Sequence, residues 1–148
     1  MRLGITNDHR GYKLKVELLE KLKKDYEVID YGAKGTENVD YPDYAFKLGK
    51  ALTNKEIDFG IAICGSGIGI SIACNKVKGI RAARVISIED VIETRNDNDA
   101  NIICLNENMD IDYAYNLIIT FITTPFSTEE RHIRRVNKIK EYEVNNEC

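Results

Sequence analysis

Short apolar, β-branched runs alternate along this chain with longer stretches in which apolar residues return every third or fourth position. That alternation is the pattern of repeated βα units around a mostly parallel sheet. Runs at 2–6, 27–31, 59–64, 80–85 and 102–105 predict five strands, with Val, Ile and Phe supplying the buried faces. Helices are predicted at 12–24, 42–52, 68–76, 87–96 and 111–121. A final charged helix at 129–142 follows the Thr-Thr-Pro-Phe-Ser-Thr stretch at 123–128. In the first helix Leu14, Leu18, Leu19 and Leu22 form one apolar stripe. Asp40 is expected to cap the second helix, with Pro42 in its first turn.

Neither an internal repeat nor a low-complexity tract interrupts the pattern, so residues 1–148 read as a single α/β domain. Five strands joined by right-handed crossovers commonly take the order 2-1-3-4-5, in which the chain reverses direction between strands 1 and 3. Ligands bind in the crevice at that reversal. The Asn7-Asp8-His9-Arg10-Gly11 loop after strand 1 should therefore face the loop after strand 3.

The loop after strand 3 carries the most chemistry. Ile61-Ala62-Ile63-Cys64-Gly65-Ser66-Gly67-Ile68-Gly69-Ile70-Ser71 delivers a thiol and a hydroxyl into three alternating glycines. Glycines at that spacing let backbone N–H groups converge on one anion, and the following helix adds its positive end. Cys64 would end the strand beside those donors, where a thiolate is stabilised and can act as base or nucleophile. Taken alone, the glycines also fit tight strand-to-helix packing, and Cys64 fits a small buried hydrophobe. His9 suits either a phosphate contact or an ordinary surface position. The polar run 95–101 suits a site or a simple helix end. Arg131 and Arg135 share one helix face with Lys138 beyond them, a stripe that becomes a phosphate clamp only if the helix crosses a site. Ile133 and other apolar positions opposite the stripe imply that this helix packs on something, such as a second subunit.

Composition narrows the partners. With 148 residues, 43% hydrophobic and 30% charged, the chain can bury a core without disulfides or metals. A net charge of −3 gives no support to nucleic-acid binding, which leaves a small-molecule partner. The apolar run 117–122 falls well short of the roughly 20 residues a membrane span needs. The start carries no secretory apolar segment, so no membrane association and a cytoplasmic location are expected. Cys64, Cys74, Cys104 and Cys148 lack metal-ligand spacing and are expected to stay reduced.

Together these residues resemble the B-type ribose-5-phosphate isomerases, the family that includes the galactose-6-phosphate isomerase subunits. The likeness runs over nearly the whole chain. It rests on Asp8-His9-x-Gly11, Asp40-Tyr41-Pro42, the Ile63 to Ser71 loop with Asn75-Lys76, Gly79-Ile80-Arg81-Ala82, Asn98-Asp99-Ala100-Asn101, and Arg131-His132 with Arg135-Val136. It implies a Rossmann-like three-layer sandwich whose C-terminal helix packs on a partner subunit. Homodimers with sites at the interface, sometimes paired into tetramers, and no metal or organic cofactor are implied too.

The family reaction converts ribose 5-phosphate to ribulose 5-phosphate through a cis-enediolate. By resemblance Cys64 moves the proton between carbons 1 and 2, while Ser66, where the family often has Thr, and the backbone of Gly65, Gly67, Ile68 and Gly69 hold the reacting oxygens. Asp8 and Tyr41 would hold sugar hydroxyls, Asn98 would join the substrate-binding set, and His9, Arg131 and Arg135 would bind the phosphate. Three positions depart from the family pattern. Asp97 stands where a ring-opening histidine is common, Asn108 where a further phosphate-binding arginine is common, and Glu129-Glu130 where Gly-Gly often precedes the tail. Alternatives are an isomerase of galactose 6-phosphate, allose 6-phosphate or a tetrose phosphate, and a non-catalytic sugar-phosphate-binding protein. A nucleotide-binding module would use the glycine loop and Asp30 but leave Cys64 and the tail arginines idle.

Overall fold

The computed structural model describes residues 1–146, so Cys148 lies outside the described residues. In chain order the elements are β1 (Arg2–Asn7), α1 (Tyr12–Leu22), β2 (Glu27–Asp30), α2 (Tyr41–Thr53), β3 (Phe59–Cys64), α3 (Ile68–Cys74), β4 (Ala82–Arg84), α4 (Ile88–Asn96), β5 (Ile102–Asn106), α5 (Ile111–Thr123) and α6 (Glu130–Asn145). All five strands pair in parallel. Helices cover both faces, giving the expected three-layer α/β sandwich. On one face α1, α4 and α5 bury Leu14, Leu18, Val91, Leu117 and Phe121. On the other, α2 and α3 bury Ala45, Leu48, Ile70 and Cys74. Among the described residues no helix is long and apolar enough to cross a membrane.

The sheet order is β2-β1-β3-β5-β4, which corrects the expected 2-1-3-4-5 in its last two places. Burial demand explains the exchange. Ile102, Ile103, Cys104 and Leu105 of β5 are all fully buried, as a central strand of a parallel sheet must be. Three-residue β4 has two half-buried alanines and ends on exposed Arg84, which suits an edge. Handedness agrees. A right-handed crossover puts its helix on a face set by the direction of the step. The steps from β2 to β3 and from β3 to β4 run one way and carry α2 and α3, whereas the backward steps to β2 and β5 carry α1 and α4 to the opposite face. Asp40 occupies the N-cap position of α2 as expected, but its side chain makes no capping bond there.

Register aligns the strand ends. Asn7 pairs with Ile63, and Cys64 with Asn106, so the loops after β1, β3 and β5 share the C-terminal edge of the sheet. At the N-terminal edge, buried Arg95 fixes the segment before β5. Its guanidinium lies 4.9 Å from the Phe59 ring centroid and 5.7 Å from that of Phe121, and donates to Asp99, Ala100 O and Thr124 O. Asp99, at φ 49°, also pairs with Arg81. The start of α6 is tied to the same edge by Ser127 N–H donating to Asn96 O at 3.0 Å, and the helix buries His132 and Val136.

Lys15 is the largest wholly buried polar side chain. Its ammonium donates to Asp30 Oδ2 at 2.9 Å and Ala33 O at 2.8 Å, locking α1 to the end of β2. Burial pushes the Asp30 carboxyl up, but Lys15, the Gly32 N–H and Lys34 outweigh it and hold the group below its ordinary 3.8. A depressed carboxyl stabilises the fold above its unfolded value and loses that contribution as pH falls through the folded one. Urea midpoints measured from pH 5 to pH 2 are therefore expected to fall less steeply below about pH 4 in Lys15→Met than in the parent. Equal slopes would show that the pair contributes nothing to acid stability.

Candidate active site

Cys64 ends β3 with 4% of its surface exposed, and Gly67 N–H donates to its Sγ at 3.1 Å. An N–H aimed at the sulfur is the partner a thiolate needs. Gly67 makes this possible at φ 76°, in the left-handed region where a side chain would be strained. One residue on, Ile68 N–H donates to Ser66 Oγ at 3.1 Å. The exposed hydroxyl thus accepts from the loop and keeps its own hydrogen for a ligand oxygen. Arg84 Nε–H donates to Ser66 O at 2.8 Å, and Glu107 N–H to Gly65 O at 3.2 Å, so β4 and β5 both brace the loop.

The loop after β1 arrives alongside. Asp8 N–H donates to Ile63 O at 3.2 Å, and Asp8 Oδ1 accepts from the N–H groups of Arg10 and Gly11, each at 3.0 Å. One carboxylate oxygen thus starts α1, and the other is left for a hydroxyl. His9 Nδ1 accepts from Val39 N–H at 3.1 Å, so the neutral ring carries its hydrogen on Nε2 and presents a donor. From α2, the Tyr41 ring lies over Gly69, where a Cβ would stand 2.8 Å from the ring's Cζ. Asp8, His9, Tyr41, Cys64, Ser66 and the Gly65 to Gly69 backbone form one cluster, as the sequence implied.

Cys64 differs from the other described cysteines. Cys74 and Cys104 are fully buried in the α2/α3 face of the core. The Cys104 thiol is pushed well up by its hydrogen bond with Cys74 and by burial. Among the described residues no group of three His, Cys, Asp or Glu side chains could hold a metal ion.

Asp97 and Asn98 lie elsewhere, at the edge of the sheet to which α6, the helix carrying Arg131 and Arg135, is joined through Ser127 and His132. Asp97 and Asn98 precede β5 and Cys64 lies beside its last residue, so four residue steps of about 3.3 Å put roughly 13 Å between them along the strand. Within one chain the two groups do not meet. Asp97 Oδ1 accepts from Asn96 Nδ2 at 2.7 Å and lies 3.6 Å from Nε2 of buried His132, whose Nδ1 has no hydrogen-bond partner among the described residues. Arg131 and Arg135 are both exposed, as the helical stripe predicted, and Arg131 Nε–H donates to Glu129 Oε2 at 2.7 Å. Arg10 and His132 stand within motifs quoted from the sequence but received no role there, and Glu107 was not reached at all. The first two adjoin residues already singled out, but Glu107 carries no local signal and joins the cluster only through the sheet.

A family model described as Ribose/Galactose Isomerase matches residues 3–139. A relative from Mycoplasma genitalium named "Probable ribose-5-phosphate isomerase B" is 39% identical over 97% of this chain and 96% of its own length. The solved ribose-5-phosphate isomerase B of Clostridium thermocellum superposes with a TM-score of 0.94 at 46% identity, covering 99% of this chain and all of that one. The Mycoplasma genitalium ribose-5-phosphate isomerase B solved with bound ribulose-5-phosphate superposes with a TM-score of 0.90 at 37% identity, over 98% of this chain and 97% of that one. The family match and these similarities over nearly the full length establish that the chain belongs to the ribose/galactose isomerase family of aldose–ketose isomerases.

Proposed function

We propose that the protein interconverts ribose 5-phosphate and ribulose 5-phosphate, with residues 1–148 acting as one sugar-phosphate isomerase domain in the cytoplasm. The carrying observation is the Cys64 sulfur, held by Gly67 N–H between the Asp8-His9 loop and Tyr41. As a thiolate, Cys64 takes the proton from carbon 2 of the open-chain aldose and returns it to carbon 1. Negative charge gathers meanwhile on the two oxygens of a cis-enediolate. The Ser66 hydroxyl and the N–H groups of the glycine loop face that charge, and a preorganised donor of this kind is worth about 3 kcal/mol in a transition state. Asp8 and Tyr41 hold the sugar hydroxyls, and His9 Nε2–H meets the phosphate.

The remaining charge comes from a second copy of the chain. Its Arg131 and Arg135 complete the phosphate clamp, and its Asn98 joins the sugar contacts. Its Asp97 opens the furanose ring with His132 behind it, since an imidazole supplies the proton that a carboxylate alone ordinarily lacks at neutral pH. The roughly 13 Å separation along β5 supports this division, because it keeps Asp97 and Asn98 of one chain away from that chain's own Cys64. So does exposed apolar surface at both parts: Tyr41, Phe46, Ile68 and Ile72 beside the cysteine loop, and Ile133 and Ile139 on α6. Surface of this kind marks a protein interface, here that of a homodimer.

Kinetics with ribose 5-phosphate beside galactose 6-phosphate, allose 6-phosphate and erythrose 4-phosphate tests the substrate. The highest kcat/KM is expected for ribose 5-phosphate. A higher value for a hexose phosphate would overturn the pentose assignment, and tight binding without turnover would overturn catalysis.

A further inference from the structure

We infer that Arg10 is a further ligand for the substrate's phosphate, carried by the loop after β1 to the backbone beside Cys64; this rests on the sugar-phosphate function proposed above. Its guanidinium lies flat on the backbone next to Cys64, since a Cβ at Gly65 would stand 2.4 Å from both Cζ and Nη1. His9 precedes it, and the Nε2–H of that ring is the other donor presented by the same loop. The Glu107 carboxylate beside it raises the Arg10 guanidinium above its ordinary value, so the group stays a cation. Residues 107–110, after β5, carry no lysine or arginine.

The protein's own contact to Arg10 suits a ligand-binding residue better than a structural one. Nε at 3.1 Å and Nη2 at 2.5 Å both donate to the same oxygen, Glu107 Oε1, and no acceptor among the described residues takes Nη1. Arginine–carboxylate pairs frequently set the planar fork on both carboxylate oxygens, which this one does not. The arginine side chain is 57% exposed, and exposed ion pairs contribute little to stability. Glu107 therefore aims the guanidinium without using it up, and a phosphate's oxygens match the remaining donors.

The test compares Arg10→Gln and Arg10→Lys with the parent enzyme, using KM for ribose 5-phosphate, inhibition by inorganic phosphate, and isomerisation of unphosphorylated ribose. Losing a charged hydrogen bond to phosphate is expected to raise both KM and the phosphate inhibition constant by about 10- to 100-fold in Arg10→Gln. Arg10→Lys should recover part of this, and the penalty should be absent for ribose. Unchanged phosphate inhibition with a normal melting temperature would overturn the inference. So would an equal loss with ribose and a shifted pH profile, which would assign Arg10 to the thiolate instead. Failure of the parent to convert ribose 5-phosphate would sink the substrate assignment alone, because calorimetric binding of inorganic phosphate still reads the effect of Arg10.

Discussion

Replacing Cys64 with alanine is expected to lower kcat for aldose–ketose conversion by about 10³-fold or more, within the range of losing a positioned acid–base group. The substitution removes one sulfur at a strand end and leaves the sheet register untouched. No other described cysteine can take over: Cys74 and Cys104 are sealed in the core, and the Cys104 thiol is pushed well up by Cys74 and by burial. Water in the vacated space is a poor base, so what survives reflects the oxyanion donors and the phosphate contacts. Initial rates and a thermal melt check this together. A folded variant within tenfold of the parent would remove Cys64 from the proton transfer.

Mixing two inactive variants is expected to restore activity. On the proposed division Cys64→Ala lacks the base, and a chain carrying both Arg131→Ala and Arg135→Ala lacks the clamp, so neither variant alone would assemble a working site. Random exchange makes half of the dimers mixed, and each mixed dimer holds one site with both halves intact, so about a quarter of the parent activity returns. The prediction follows from the position of the two groups at opposite edges of one sheet. Absence of any recovery, with mixed dimers demonstrated by mass spectrometry, would place the whole site within a single chain.

Much of this was legible because parallel sheets write themselves plainly in sequence. The apolar runs located every strand, and the loops carrying Asp8 and Cys64 met where the reversal of strand order requires. Strand order beyond that point was harder, since a helix such as α4 fits either face by its own periodicity. The deciding signal was the contrast between the unbroken Ile102 to Leu105 run and Ala82-Ala83-Arg84, which marks one strand as central and the other as edge. The separation of Asp97 from Cys64 was also available in principle. Asp97 precedes a strand and Cys64 ends one, so in a parallel sheet they take opposite edges. What sequence could not show was contact by side chains from distant segments: Glu107 on Arg10, His132 beside Asp97, and Val39 N–H fixing the His9 tautomer.

Incubating the protein with ribose 5-phosphate in deuterated water and following carbons 1 and 2 by NMR tests the central claim most directly. The account predicts ribulose 5-phosphate formation, with deuterium entering carbon 2 of the recovered aldose and none of this in Cys64→Ala. Ketose formation that persists undiminished in Cys64→Ala, or an intact Cys64 enzyme that neither converts the sugar nor exchanges its proton, would contradict it.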